Sequence, residues 1–257
     1  MVSETVEKGG ASARQSRARD GKPVRVSSTG RPGLQLAFWA AIVTTVVTIV
    51  FAVAGIATPA RSGPFCASAC VAYPYVDVAR FIPGDYLWLI PGFLLAPSFV
   101  VLTACIHSYA PDSKKTFSRI ALSSAAAYAV VIMVNYFVQF TVVVPSLRAG
   151  EIQGLSIFTQ YNPHGFFIAL EALAYLLMSA AFLFAAPVFA RGRVERTVRA
   201  IFILSFVLAV VAFALLWLVQ QDLVAFEVTI LTINWIVLIV SGTLLSVMFQ
   251  RARGRLR

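Results

Sequence analysis

Charged residues are scarce in this sequence: Asp, Glu, Lys and Arg make up 12% of its 257 residues, where a soluble domain carries about 25%. Acidic residues are the scarcest, 11 against 21 basic ones. There are two histidines, His107 and His164, and three cysteines. These shortages exclude several classes. Three cysteines cannot build a disulfide-framed fold. His107 and His164 fall at opposite ends of the spans assigned below, so they cannot share a metal ion. Paired helical histidines for a haem, HExxH, GxSxG and a phosphate-binding glycine loop are all missing. No catalytic constellation, cofactor or metal is expected.

What the chain does have is apolar length. Hydrophobic residues make up 59% of it, and the mean hydropathy is +0.82. Crossing about 30 Å of hydrocarbon takes about 20 apolar residues in a helix. Six runs qualify: 34–57, 86–107, 119–143, 163–190, 198–219 and 224–249. The expected fold is all-α, a six-helix polytopic membrane bundle over 34–250. Outer loops cover 58–85 and 144–162, a disordered basic tail covers 1–33, and a short basic tail covers 251–257. The first run exceeds a signal peptide's apolar region and is read as an uncleaved span.

The basic residues give the orientation. Of 21 Lys and Arg, only Arg61, Arg80 and Arg148 fall in the first, third and fifth connections. The other 18 lie in the tails and the alternate connections, and basic residues mark cytoplasmic loops. Both termini are therefore expected in the cytoplasm, in a cell membrane. Prevalent Ala, Val, Leu and Arg over Lys suggest a GC-rich bacterial genome. The net charge of +10 comes from these clusters, so nucleic acid is not an expected partner. The lipid bilayer is one, and association with further copies of the chain is left open.

In the first outer loop, Cys66 and Cys70 are four residues apart, within disulfide reach if that stretch is helical. A loop-pinning bond is the main reading. A redox-active pair is the alternative, against which stands its three-residue spacing. The aromatic and proline residues around the pair suit an interfacial belt or a lid over a cavity. Pro91 and Pro97 should interrupt the second span. Cys105 reads as packing.

Polar residues at membrane depth are costly and tend to face the bundle interior. In "QYNPHGFFIALEALAYLL", Asn162 suits an N-cap and Pro163 the first helical position. His164, Glu171 and Tyr175 then share a stripe, with Glu171 about 12 Å below the helix end. In the third span, Asn135 and Gln139 share a face, with Asn135 also about 12 Å deep. In the sixth, Glu227, Asn234 and Ser241 repeat every seven residues, with Asn234 about 15 Å deep and Glu227 near the headgroups. The third, fourth and sixth spans are expected to face one another, with the fifth more exposed to lipid.

Two readings of this layer compete. Asn135, Gln139, Asn234 and Glu171 could satisfy one another as a dry interhelical network. Alternatively, with His164 at the mouth and Tyr175 nearby, they could line an outward-facing cavity that binds a small solute or relays a proton. The second makes the chain a small-solute or proton-linked transporter. The alternatives are a non-catalytic sensor or assembly partner and, more remotely, a membrane thiol oxidoreductase using Cys66 and Cys70.

Overall fold

In a computed structural model, residues 30–255 are described. The expected basic tail therefore lies, up to residue 29, outside the described residues. Among those described there are helices and no strands. Six helical segments are long and apolar enough to cross a membrane: Arg31–Ala57, Gly84–Tyr109, Asp112–Ala149, Phe166–Val188, Arg193–Val219 and Leu223–Gly254. Most outrun the apolar stretches that announced them. An apolar run measures hydrocarbon thickness, whereas a helix continues wherever its backbone bonds close. Thus α7 (Leu223–Gly254) carries Arg251 and Arg253 in its last turn, where cations complement free carbonyls.

The segments are α1 (Arg31–Ala57), α2 (Leu89–Tyr109), α3 (Lys115–Val138), α4 (Val144–Ala149), α5 (Phe166–Ala185), α6 (Arg193–Ala212) and α7. A π-helical stretch, Gln139–Val143, joins α3 to α4, and a second, Phe213–Val219, extends α6. The helices α1, α2, α3, α5 and α7 pack in that order, and α7 closes back on α1. Outside this ring, α6 rests on α5 and α7 and is the least buried of the six. The expectation that the third, fourth and sixth spans adjoin one another needs adjustment. Helix α5 packs on both α3 and α7, but α3 and α7 hardly touch each other, their other sides packing on α2 and α1.

The α1–α7 seam shows why the sequence permits close packing. On α1 the buried face is Ala37, Ala41, Thr44, Thr45 and Thr48. Opposite it is Gly242, where an added Cβ would collide with the Thr45 hydroxyl and lie 3.4 Å from the Ala41 carbonyl. Small residues let helix backbones approach in lipid, where packing drives association. Two of the threonine hydroxyls are satisfied on their own helix, Thr45 donating to Ala41 at 2.8 Å and Thr48 to Thr44 at 2.7 Å, while Thr44 donates to the Ser98 carbonyl of α2 at 3.2 Å.

Cross-contacts define two ends. At one, Arg253 lies over the Phe38 ring, Tyr109 packs on Phe249, and the Tyr109 hydroxyl reaches Glu195 at 3.0 Å. This is the basic end. At the other, the segment after α1 meets the connection before α5. This is the disulfide end, because Cys66 and Cys70 are bonded there, with Cα atoms 5.9 Å apart. Cys105 is free and buried, on the half of α2 toward the basic end. Between the ends, exposed Val46, Val50 and Val53 on α1 and Leu204, Val207 and Val211 on α6 form apolar surface suited to lipid.

Candidate functional site

Three irregular segments meet at the disulfide end, and one carboxylate holds them. Asp85 lies in a 3-10 turn, Gly84–Tyr86, just before α2. It is buried, at 5% exposure. Arg61, four residues beyond the end of α1, grips it with Nε at 2.9 Å and Nη2 at 3.3 Å. The guanidinium also lies 4.0 Å from the centre of the Phe81 ring. From the connection before α5, the Tyr161 hydroxyl donates to Asp85 Oδ2 at 3.2 Å, and Gln160 Nε2 donates to the Asp85 carbonyl at 3.0 Å. The Ser62 hydroxyl donates to the Tyr161 carbonyl. Paired, two-pronged geometry makes an Arg–carboxylate contact directional and strong.

Both partners of Asp85 keep fixed protonation states. The hydrogen bond to Asp85 raises the Arg61 pKa above its ordinary value, so Arg61 stays a cation. Burial first, then the neighbouring Tyr86 and Asp85, push the Tyr161 phenol far up, so it stays a neutral donor. The latch should therefore depend on the guanidinium. Arg61→Ala is expected to speed amide hydrogen exchange across 61–85 by roughly tenfold, the scale of leaving a buried acceptor without its donors. Arg61→Lys should recover only part, because an ammonium cannot reproduce the two-pronged grip. Unchanged exchange in Arg61→Ala would show that the disulfide alone holds the loop.

Beneath the latch is a cavity of about 330 Å³. It lies between the end of α1, the lead-in to α2, and the first turns of α5 and α7. Arg61, Asp85 and Tyr161 line its mouth; Trp88, Phe167 and Trp235 line its walls; Glu171 and Glu227 complete it. On the side between α1 and α7 the lining includes Ile56, Val228 and Thr232, all exposed, Ile56 at 80%. The cavity therefore reaches the apolar flank of the bundle as well as its end. Gly55 makes the α1 wall thin: a Cβ there would sit 2.9 Å from the Trp235 ring.

The carboxyls are the unusual feature. Glu171 and Glu227 are 1% and 5% exposed and lie within side-chain hydrogen-bonding reach of each other. A hydrogen bond between two carboxyls needs a proton on one of them, and two negative charges this close repel. Glu171 also accepts from the Tyr136 hydroxyl. Tyr136 is held by an aromatic cluster, stacked on Phe167 at 6.0 Å and edge-on to Trp88 at 5.9 Å. Trp235, 7% exposed, has a buried indole N–H with no hydrogen-bond partner among the described residues.

The residues singled out from sequence separate. Of Glu171, His164, Asn135, Gln139, Asn234 and Tyr175, only Glu171 lines the cavity. Asn135 donates to the Phe167 carbonyl at 3.0 Å, and Gln139 to the Phe158 carbonyl at 2.7 Å. Asn234 bonds Ser179 at 3.1 Å and the Ile230 carbonyl at 2.8 Å. These amides satisfy backbone and hydroxyl groups, not Glu171. Tyr175 packs on Tyr128, ring centres 5.8 Å apart, deeper in the bundle. His164 is exposed in a turn, its N–H donating to the Asn162 side chain at 2.9 Å. Cys66 and Cys70 lie in the loop beside the cavity and do not line it.

No family model, curated protein or solved structure matches the chain. The chemistry must therefore be read from the cavity itself. Among the described residues no three His, Cys, Asp or Glu side chains cluster as metal ligands would. The cavity offers aromatic walls, one neutralised Arg–Asp pair, and two buried carboxyls within reach of each other.

The partner that sequence reasoning missed is Glu227. Helix α5 starts at Phe166, not Pro163: Gly165 is its N-cap, and a Cβ there would collide with the Ile157 carbonyl at 2.9 Å. Glu171 is then five residues into α5, about 7.5 Å along it, and Glu227 is four residues into α7, about 6 Å. Counted from the true starts the two match in depth. The signal was present, but a helix start three residues too early hid it.

Proposed function

We propose that this chain is a multi-pass protein of a bacterial cell membrane with both termini in the cytoplasm, and that its cavity faces outward and binds a small solute for proton-linked transport. The uneven distribution of basic residues supports the orientation. The observation that carries the solute reading is the 330 Å³ cavity, open at the disulfide end and containing two buried carboxyls. Ligand sites are concave, mainly apolar, and fitted with a few convergent polar groups. Buried ionisable groups inside a membrane bundle mark solute or proton paths. A solute that donates hydrogen bonds to Glu171 and Glu227 replaces the proton between them, which links binding to proton release. Below the carboxyls lies a second cavity of only about 10 Å³, lined mostly by apolar side chains. Transport then requires the bundle to open toward the basic end once the solute is bound.

The orientation and the access are tested together by thiol labelling of whole cells with a membrane-impermeant maleimide. Glu151→Cys and the cavity-lining, otherwise buried Ile168→Cys are expected to react from outside. Arg196→Cys should react only after permeabilisation. The reverse pattern would overturn the orientation. An inert Ile168→Cys beside a reactive Glu151→Cys would overturn the open cavity.

A further inference from the structure

Building on the solute-cavity reading above, we propose that the cavity takes the ammonium head of a small amphipathic amine. The nitrogen would lie at Glu171 and Glu227, and the carbon body against Trp88, Phe167 and Trp235.

Charge decides the sign of the ligand. The formally charged side chains in the lining are Arg61, Asp85, Glu171 and Glu227. Arg61 is committed to Asp85 by two contacts and covered on one face by Phe81. An anion therefore meets no free cation, and it would face two carboxyls. A neutral solute can donate hydrogen bonds to the carboxyls but brings no charge to them. An ammonium brings three donors and a compensating charge. The hydroxyl in contact with the pair is the Tyr136 phenol from α3, which donates to Glu171; Tyr161 at the mouth donates to Asp85, and Thr58, Ser62 and Thr232 also line the cavity. None of these supplies a positive charge.

The walls decide the rest. Tryptophan and phenylalanine faces attract organic cations, most strongly where water is excluded. At about 330 Å³, the space is at the small end of ligand sites. The flank formed by Ile56, Val228 and Thr232 faces the hydrocarbon side of the bundle. Two sources share this chemistry: a free amine from the water, and the ethanolamine head of a phospholipid reaching in between α1 and α7.

Equilibrium dialysis of the full chain in nanodiscs tests this, with empty nanodiscs subtracted. The probes are 2-phenylethylammonium, its neutral analogue 2-phenylethanol and the anion 3-phenylpropanoate. The cation is expected to bind at least about tenfold more tightly than either, the scale of one charge-assisted contact. The Glu171→Gln/Glu227→Gln double variant should lose that preference while keeping its affinity for the alcohol. The unmodified protein alone is decisive if that variant fails to fold. Ethanolamine phospholipid in place of phosphatidylglycerol identifies the source. A tenfold loss of cation affinity in the ethanolamine discs means that a headgroup occupies the site, and no loss means a free amine does. Equal binding of the alcohol and the cation would overturn the amine inference and leave the solute cavity standing. Tightest binding of the anion would overturn the amine inference too. No saturable binding of any probe in either disc would overturn both.

Discussion

Glu171→Ala and Glu227→Ala are each expected to destabilise the bundle by about 1–3 kcal/mol, the cost of leaving a buried polar group without its partner. The expected signature is not that cost but its failure to add. Once Glu171 is removed, Glu227 has already lost the hydrogen bond that offset its burial, so removing it as well costs little more. A double-mutant cycle should therefore show coupling of about 0.5–3 kcal/mol. Interhelical hydrogen bonds in membranes average only about 0.6 kcal/mol, because the unfolded chain in lipid finds other partners. The coupling should exceed that average for two reasons. A carboxyl pair has two groups to satisfy, and it joins α5 to α7 beside a cavity rather than inside a packed seam. Glu171→Gln should cost less than half as much as Glu171→Ala, since an amide still donates to Glu227 and accepts from Tyr136. Reversible unfolding in bicelles measures all four variants. Strictly additive alanine costs would mean that the carboxyls are independent and that the cavity has no shared-proton centre.

Much of the fold was legible because lipid imposes a length. Each of the six runs falls largely within one helix, since a shorter apolar stretch could not cross the hydrocarbon. The site was legible only in part. Glu171 stood out as a carboxyl in an otherwise apolar helix. Its partner, Glu227, was visible as a residue but did not match it in depth, because the Asn162–Pro163 pair imitates a helix cap and set Glu171 too deep. In the structure Asn162 instead accepts from the His164 N–H, and the helix waits for Gly165. The amides misled for a different reason. Asn135 bonds to the Phe167 carbonyl in the first turn of α5 and Gln139 to the Phe158 carbonyl in the connection before it, and a sequence does not announce which backbone carbonyls will accept from a neighbouring helix. The Arg61–Asp85 latch was invisible for the same reason. Its members are 24 residues apart across a loop with no periodicity.

Gly92→Ala is expected to destabilise the protein, against the usual sign for a helix. Inside a helix, glycine is ordinarily worse than alanine by about 0.5–1 kcal/mol. At Gly92, however, an added Cβ would sit 2.6 Å from the Tyr136 ring and 2.8 Å from the Phe51 ring. Neither ring can retreat easily. Phe51 is stacked on Trp88 at 5.7 Å and edge-on to Trp235 at 5.1 Å, and Tyr136 is stacked on Phe167. Overpacking a core of this kind costs about 1–3 kcal/mol, more than the propensity gain. The displacement also has a chemical consequence, because it turns the Tyr136 hydroxyl away from Glu171. Gly92→Ala should therefore lower the thermal midpoint and weaken solute binding together. Tyr136→Phe, which keeps the ring and removes the hydroxyl, should affect binding more than the midpoint. Gly254→Ala is the control, since a Cβ there meets nothing within 4 Å, and it should be neutral or mildly stabilising. If Gly92→Ala behaves like Gly254→Ala, the aromatic cluster is loose enough to absorb a methyl group, and Tyr136 does not owe its place beside Glu171 to the missing side chain.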